Sequence, residues 1–231
     1  MTKLVLGTSG QVILPVETKE VIAPEPLTVK KQKSGTTLVN KGGSVIDLDG
    51  ATDVGSYALS HAYAQSNWGE VDIDLSSLTS ASGYEACHRM FGSTSGIKNI
   101  DLSSLQTISG NFAIKEFSYY STYGVKSVDL RSLKTVSSPN ALDNAFGNCS
   151  RLNSVNLSSL ETASGNSAFY FCFASCPSLT TLNLSALKTL SGSNAFSYLC
   201  YGDTGLTTVD FSNLDNITGS SALSNAFSNC T

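Results

Sequence analysis

Apolar and polar residues alternate in a phrase that returns along most of the chain. "TTLNLSALKTLSGSNAF" (180–196) has a close relative in "NSVNLSSLETASGNSAF" (153–169). The leucine of its "DL" or "NL" step recurs at Leu48, Leu75, Leu102, Leu130, Leu157 and Leu184, with Phe211 in the seventh place, at intervals of 27, 27, 28, 27, 27 and 27 residues. Such regularity marks a solenoid or array. Two residues before this position stand Ile46, Ile73, Ile100, Val128, Val155, Leu182 and Val209, giving the period-two pattern of a half-buried strand.

Leucines three residues later (Leu78 to Leu214) and apolar residues six later (Ala81 to Ile217) carry the buried side beyond the strand. Next comes glycine or serine, at Gly83, Gly110, Ser138, Gly165, Gly192 and Gly219, where a turn can enter a helix. Four apolar columns follow at 11, 12, 15 and 16 residues after the leucine, such as Ala168, Phe169, Cys172 and Phe173; this is helical spacing. The pattern predicts seven units of strand, turn, short helix and return, their strands stacked about 4.8 Å apart in a parallel sheet. The first unit, from Ser44, is one residue short before Gly55 and reads as a degenerate cap. After "SNAFSNCT" the last apolar layer is expected to need a cover, whether a partner, a further segment or self-association.

The run "CPSLTTLNLSALKTLSGSNAF" resembles the BspA-like bacterial leucine-rich repeats over roughly residues 44–231. That resemblance implies an α/β leucine-rich-repeat solenoid and a surface adhesin or binding protein, usually exported.

Charge divides the chain in two. Residues 1–42 carry six lysines against three acids, whereas the remainder is net −7, and the whole is net −4 with 14% charged residues. This balance argues against a nucleic-acid binder. Nothing reads as an export signal, a membrane span or a membrane-inserting segment. Residues 1–43 share nothing with the repeat: "KLVLGTSGQVILPV" suggests a small hairpin and "IAPEPLTVKKQK", with Pro24 and Pro26, an extended stretch. Such an arm is expected to anchor or oligomerise the protein, by adding strands to another chain or by intertwining with copies of itself. Alternatively it lies as a flap against the repeats.

Candidate chemistry is sparse. Neither a catalytic motif nor a cofactor-binding loop appears, so the expectation is a protein that is not an enzyme and holds no cofactor. Cys87, Cys172 and Cys200 fall in core columns, while Cys149, Cys176 and Cys230 share a column with Asp203. They read as buried free thiols rather than a disulfide or zinc set, because stacked equivalents point the same way. His61 and His88 lie in helical columns without clustered ligands. Asp47, Asp74, Asp101, Asp129, Asn156, Asn183 and Asp210 form an outward file, either a solvated ladder or a weak calcium site using Asp74, Asp101, Asp129 and Asp210. Tyr119, Tyr120 and Tyr123, in the 28-residue unit, are candidate contact residues together with Asn156 and Asn183. Local packing over the insertion is the other reading of those tyrosines.

Together these features point to a non-enzymatic structural and binding protein. One reading is a phage virion component, a head or tail fibre, anchored to virion proteins through residues 1–43, with a host-surface protein or glycan as ligand and a homo-oligomeric state. A second is an extracellular or cell-surface bacterial adhesin lacking its signal peptide. A third is a cation-binding module.

Overall fold

A computed structural model describes residues 2–6, 12–13, 27–31, 37–44, 52–57, 59–62, 67–120 and 124–230. In the N-terminal region β1 (Thr2–Leu6), β2 (Val12–Ile13), β3 (Leu27–Lys31) and β4 (Thr37–Ser44) form an antiparallel sheet in the order β2-β1-β4-β3, with Val5 opposite Ile13 across β1 and β2.

The repeats build a parallel-strand solenoid with two sheets. In each coil the "DL" strand forms the first: β5 (Asn67–Asp74), β7 (Ser95–Asp101), β9 (Ser127–Asp129), β11 (Ser154–Asn156), β13 (Thr181–Asn183) and β15 (Thr208–Asp210). A short second strand follows the corner: β6 (Ser80–Ala81), β8 (Thr107–Ile108), β10 (Thr135–Val136), β12 (Thr162–Ala163), β14 (Thr189–Leu190) and β16 (Asn216–Ile217). Neighbouring coils pair in the register of the repeat: Ile100 opposite Val128, Val128 opposite Val155, Val136 opposite Ala163. Equivalent residues therefore meet one coil apart, and Leu102, Leu130, Leu157 and Leu184 all lie buried in one continuous core.

The expectation of seven units is corrected to about five turns, the five steps from β5 to β15. The first unit's "DL" segment, with Asp47, lies outside the described residues. What is described of that unit docks on the next coil: Tyr57 N–H donates to Tyr84 C=O at 2.9 Å and Leu59 N–H to Ala86 C=O at 2.8 Å.

The predicted helices are absent from the described residues. In their place each coil carries a ribbon of linked turns. Over Glu85–Thr94, alternate N–H groups bond within the ribbon three residues back (His88 to Glu85, Met90 to Cys87, Gly92 to Arg89). The intervening ones donate to the following coil: Cys87 to Ala113 at 2.7 Å, Arg89 to Lys115 at 3.0 Å, Phe91 to Phe117 at 2.8 Å. Every fourth residue has positive φ, as at Asn140, Asn144 and Asn148 or Ser167, Phe171 and Ser175. The ribbon thus points two residues inward and two outward, a period of four that places the columns at 11, 12, 15 and 16 in the core as a helix would. Backbone satisfaction explains the choice. The segments are short and rich in serine, asparagine and aromatics, which are modest helix formers. The ribbon meets the backbone's hydrogen-bonding demand while tying each coil to the next, and asparagine is among the residues that accept the left-handed positions most readily.

Phenylalanines cross the coil boundaries inside the core, with ring centroids 5.2 Å apart for Phe91 and Phe117, 6.0 Å for Phe117 and Phe146, and 5.9 Å for Phe146 and Phe173. The column of glycines does not open helices. It lets one coil's backbone pass close above another: a Cβ on Gly110 would sit 2.1 Å from the Gly83 carbonyl oxygen. Ser138 occupies the same column and is buried, its hydroxyl donating to the Gly110 carbonyl at 2.7 Å.

Candidate binding surface

Strand ends, ribbon and core place the candidate residues in three different settings. The aspartate and asparagine file caps the corner between the two strands of each coil. Asp74 Oδ1 accepts from the N–H of Ser76 at 2.9 Å and from its hydroxyl at 2.6 Å; Asp101 Oδ1 accepts from Ser103 N–H at 2.8 Å, and Asp210 Oδ1 from Ser212 N–H at 2.9 Å. Asn156 and Asn183 do the same for Ser158 and Ser185, at 3.2 and 2.9 Å. These are Asx turns, which carboxylate and amide oxygens close equally well. At Asp129 the Arg131 guanidinium adds a bond, Nε to Oδ2 at 2.8 Å, and this bond leads the causes that hold the carboxyl below the usual range. Among the described residues no group of three or more histidines, cysteines, aspartates and glutamates is placed to hold a metal ion.

The six cysteines are free, five of them buried and Cys230 half-buried. Burial pushes the Cys87 thiol up to about 12 and those of Cys172, Cys176 and Cys200 well above the ordinary value, so these thiols are poor nucleophiles. The column of Cys149, Cys176 and Cys230 aims its sulfurs at carbonyls of the preceding coil: Cys149 donates to Ser118 and Cys176 to Phe146 at 3.2 Å, and Cys230 to Cys200 at 3.0 Å. Asp203, in the same column, is fully buried and accepts the Cys176 N–H at 2.6 Å; burial raises its carboxyl to about 7. His61 and His88 sit on the ribbon with ring centroids 5.1 Å apart.

Tyr119 and Tyr120 lie at the outward end of their ribbon, ring centroids 4.2 Å apart, Tyr120 exposed and Tyr119 half-buried. Burial and a bond with Tyr120 push the Tyr119 hydroxyl up to about 12. Tyr123 lies outside the described residues. Asn156 and Asn183 belong to the strand corners, not to the ribbon that carries Tyr119 and Tyr120, so the structure does not gather these four described residues into one site.

It gathers instead a group that the sequence reading passed over: Tyr170 and Phe171 from one coil with Tyr198 and Tyr201 from the next. Phe171 and Tyr198 stack at 4.5 Å with planes 7° apart, and Tyr170 and Tyr201 pack edge-on against Tyr198 at 5.7 and 5.6 Å. All four are half-buried on the outward side of the ribbon. Their positions, 13, 14 and 17 after the repeat leucine, are outward in a helix as well as in the ribbon, so the signal was present in the sequence.

No family model matches the chain, and neither a curated protein nor a solved structure shows significant similarity to it.

Proposed function

We propose that the chain is a non-enzymatic structural and binding protein, a phage virion surface component such as a head or tail fibre, in which residues 1–43 anchor and residues 44–231 present an attachment surface. The observation that carries the reading is the outward side of the ribbon, where a rigid backbone lattice displays aromatic rings among asparagines and serines. Rings that offer large contact area with little rotamer freedom, set among small adaptable polar groups, suit binding. Buried, poorly nucleophilic thiols and aspartates already committed to turns leave little for catalysis to use.

The strand-rich N-terminal region, of opposite charge to the repeats, suits attachment to other chains. A bacterial cell-surface or secreted adhesin is the second reading, favoured by the BspA-like phrase at 176–196. Sedimentation tests the anchoring role: the full chain is expected to form a stoichiometric oligomer that dissociates when residues 1–43 are removed. Unchanged assembly of the truncated protein would remove it. Location separates the two readings, since a fibre co-sediments with purified particles and an adhesin with the cell envelope.

A further inference from the structure

We propose that the outward ribbon face running from Tyr119 and Tyr120 to Tyr198 and Tyr201 binds a neutral glycan chain. The proposal deepens the attachment reading above and rests on it. Its first support is a change of chemistry along the ribbon. Toward the N-terminal end the outward positions are ionic: Glu85 with His88 at 3.2 Å, Arg89 with Glu116, and Lys115 with Asp143 at 2.9 Å. From Asn144 to Asn229 the outward positions hold only asparagine, serine, glycine, alanine and the aromatic rings. Charged groups in this stretch, such as Glu161, Lys188 and the buried Asp203, lie off that face: Glu161 and Lys188 pair with each other beside the second sheet.

Backbone conformation is compatible with this reading without singling out the face. Tyr120, Phe171 and Tyr198 sit at positive φ, 60°, 51° and 57°, in columns where other coils place Asn144, Asn148, Asn225 and Asn229, and also Arg89, Glu116, Ser93 and Ser175. A bulky aromatic is among the worst residues for the left-handed region and asparagine among the best after glycine. The ribbon imposes this conformation on every fourth residue, Tyr57 and Phe112 included, so these three positions add only the cost of placing a ring where asparagine would sit more easily.

Between the two ring groups lies a coil of amides. Asn140, Asn144 and Asn148 line its outward side, and Gly147 leaves room for the Tyr119 ring, which a Cβ there would approach to 3.2 Å. Three coil steps of about 4.8 Å separate Tyr119 from Tyr201, an extent of about 14 Å. A neutral saccharide has apolar C–H faces that lie against aromatic rings and hydroxyls that exchange hydrogen bonds with amides. A protein partner would more characteristically meet arginine anchors and a charged rim; the described outward ribbon positions from Asn144 to Asn229 carry no charge, and Arg89, Glu116, Lys115 and Asp143 at the N-terminal edge are paired with one another.

The test is an array of immobilised neutral oligosaccharides terminating in galactose, glucose or N-acetylhexosamine, beside sialylated and sulfated counterparts. The full chain is expected to bind neutral members. Phe171→Asn with Tyr198→Asn should lose at least about ten-fold in affinity with an unchanged melting temperature. Tyr201→Ser, at a residue of ordinary φ, should weaken binding without touching the strained positions, and Tyr57→Asn, on a distant coil, should not. Binding only to charged glycans, equal binding by the double variant, or no binding to any member would overturn the proposal. So would binding to a protein target that survives removal of its glycans, which would leave the attachment reading standing. The anchoring measurement above is read separately from all of these.

Discussion

Gly192 passes beneath the carbonyl of Gly165 so closely that a Cβ there would lie 2.1 Å from the Gly165 oxygen. The same approach recurs between Gly219 and Gly192 at 2.1 Å. The atom in the way is backbone, so relief requires two coils to part. Gly192→Ala is expected to destabilise by about 2–4 kcal/mol, an overpacking cost at the upper end of the usual range. Chemical denaturation checks it, with a lowered midpoint and unchanged slope as the expected result.

Replacing helices by turn ribbons has a spectroscopic consequence. The far-UV circular dichroism spectrum should lack the double minimum of α-helix despite the helical spacing of the core. Amide exchange should be slowest at the ribbon N–H groups that cross between internal coils, such as Phe146 to Cys172 at 2.9 Å and Phe169 to Ala195 at 2.8 Å.

Asp203 makes stability depend on pH. Burial is the leading cause that raises its folded carboxyl from the ordinary 3.8 to about 7. The folded state thus holds the proton more tightly than the unfolded chain does. The associated stabilisation is fully present below about pH 4 and is lost progressively as pH rises to about 7, by up to about 4 kcal/mol. Asp203→Asn should remove this pH dependence and raise the melting temperature at pH 8 relative to the parent.

The corner carboxylates act one by one through Asx turns. Asp101→Ala should cost about 1 kcal/mol by uncapping the Ser103 N–H, whereas Asp101→Asn should be close to neutral because Asn156 and Asn183 close the same turn. Calcium is expected to leave the melting temperature of the parent unchanged; a concentration-dependent rise would restore the cation-binding reading.

Leu102, Leu130, Leu157 and Leu184 declared the stacked core from sequence, because a 27-residue interval in one column has few other physical origins. The ribbon was hidden, since Ala168, Phe169, Cys172 and Phe173 satisfy a period of four whether the backbone bonds run within a helix or out to the next coil. Gly192 read as a turn residue because its constraint comes from another coil, invisible in any single unit. Tyr119 and Tyr120 stand out in sequence because the 28-residue unit is irregular, whereas Tyr170, Phe171, Tyr198 and Tyr201 lie in regular units and break no pattern. The strain at Phe171 and Tyr198 could not be read before the positive φ of their column was known.

Among the described residues, the backbone bonds that join one ribbon to the next run the same way, from an N–H of the earlier coil to a C=O of the later one. At the corners the direction reverses, as from Gln106 N–H back to Thr79 C=O and from Glu161 N–H back to Lys134 C=O. A coil is therefore a tile with a fixed pattern of donors and acceptors on each face. In-frame duplication of a whole unit drops in a tile whose edges already match, so an array of this kind can lengthen or shorten in evolution by copying without redesigning a junction. An inverted copy would set donor against donor.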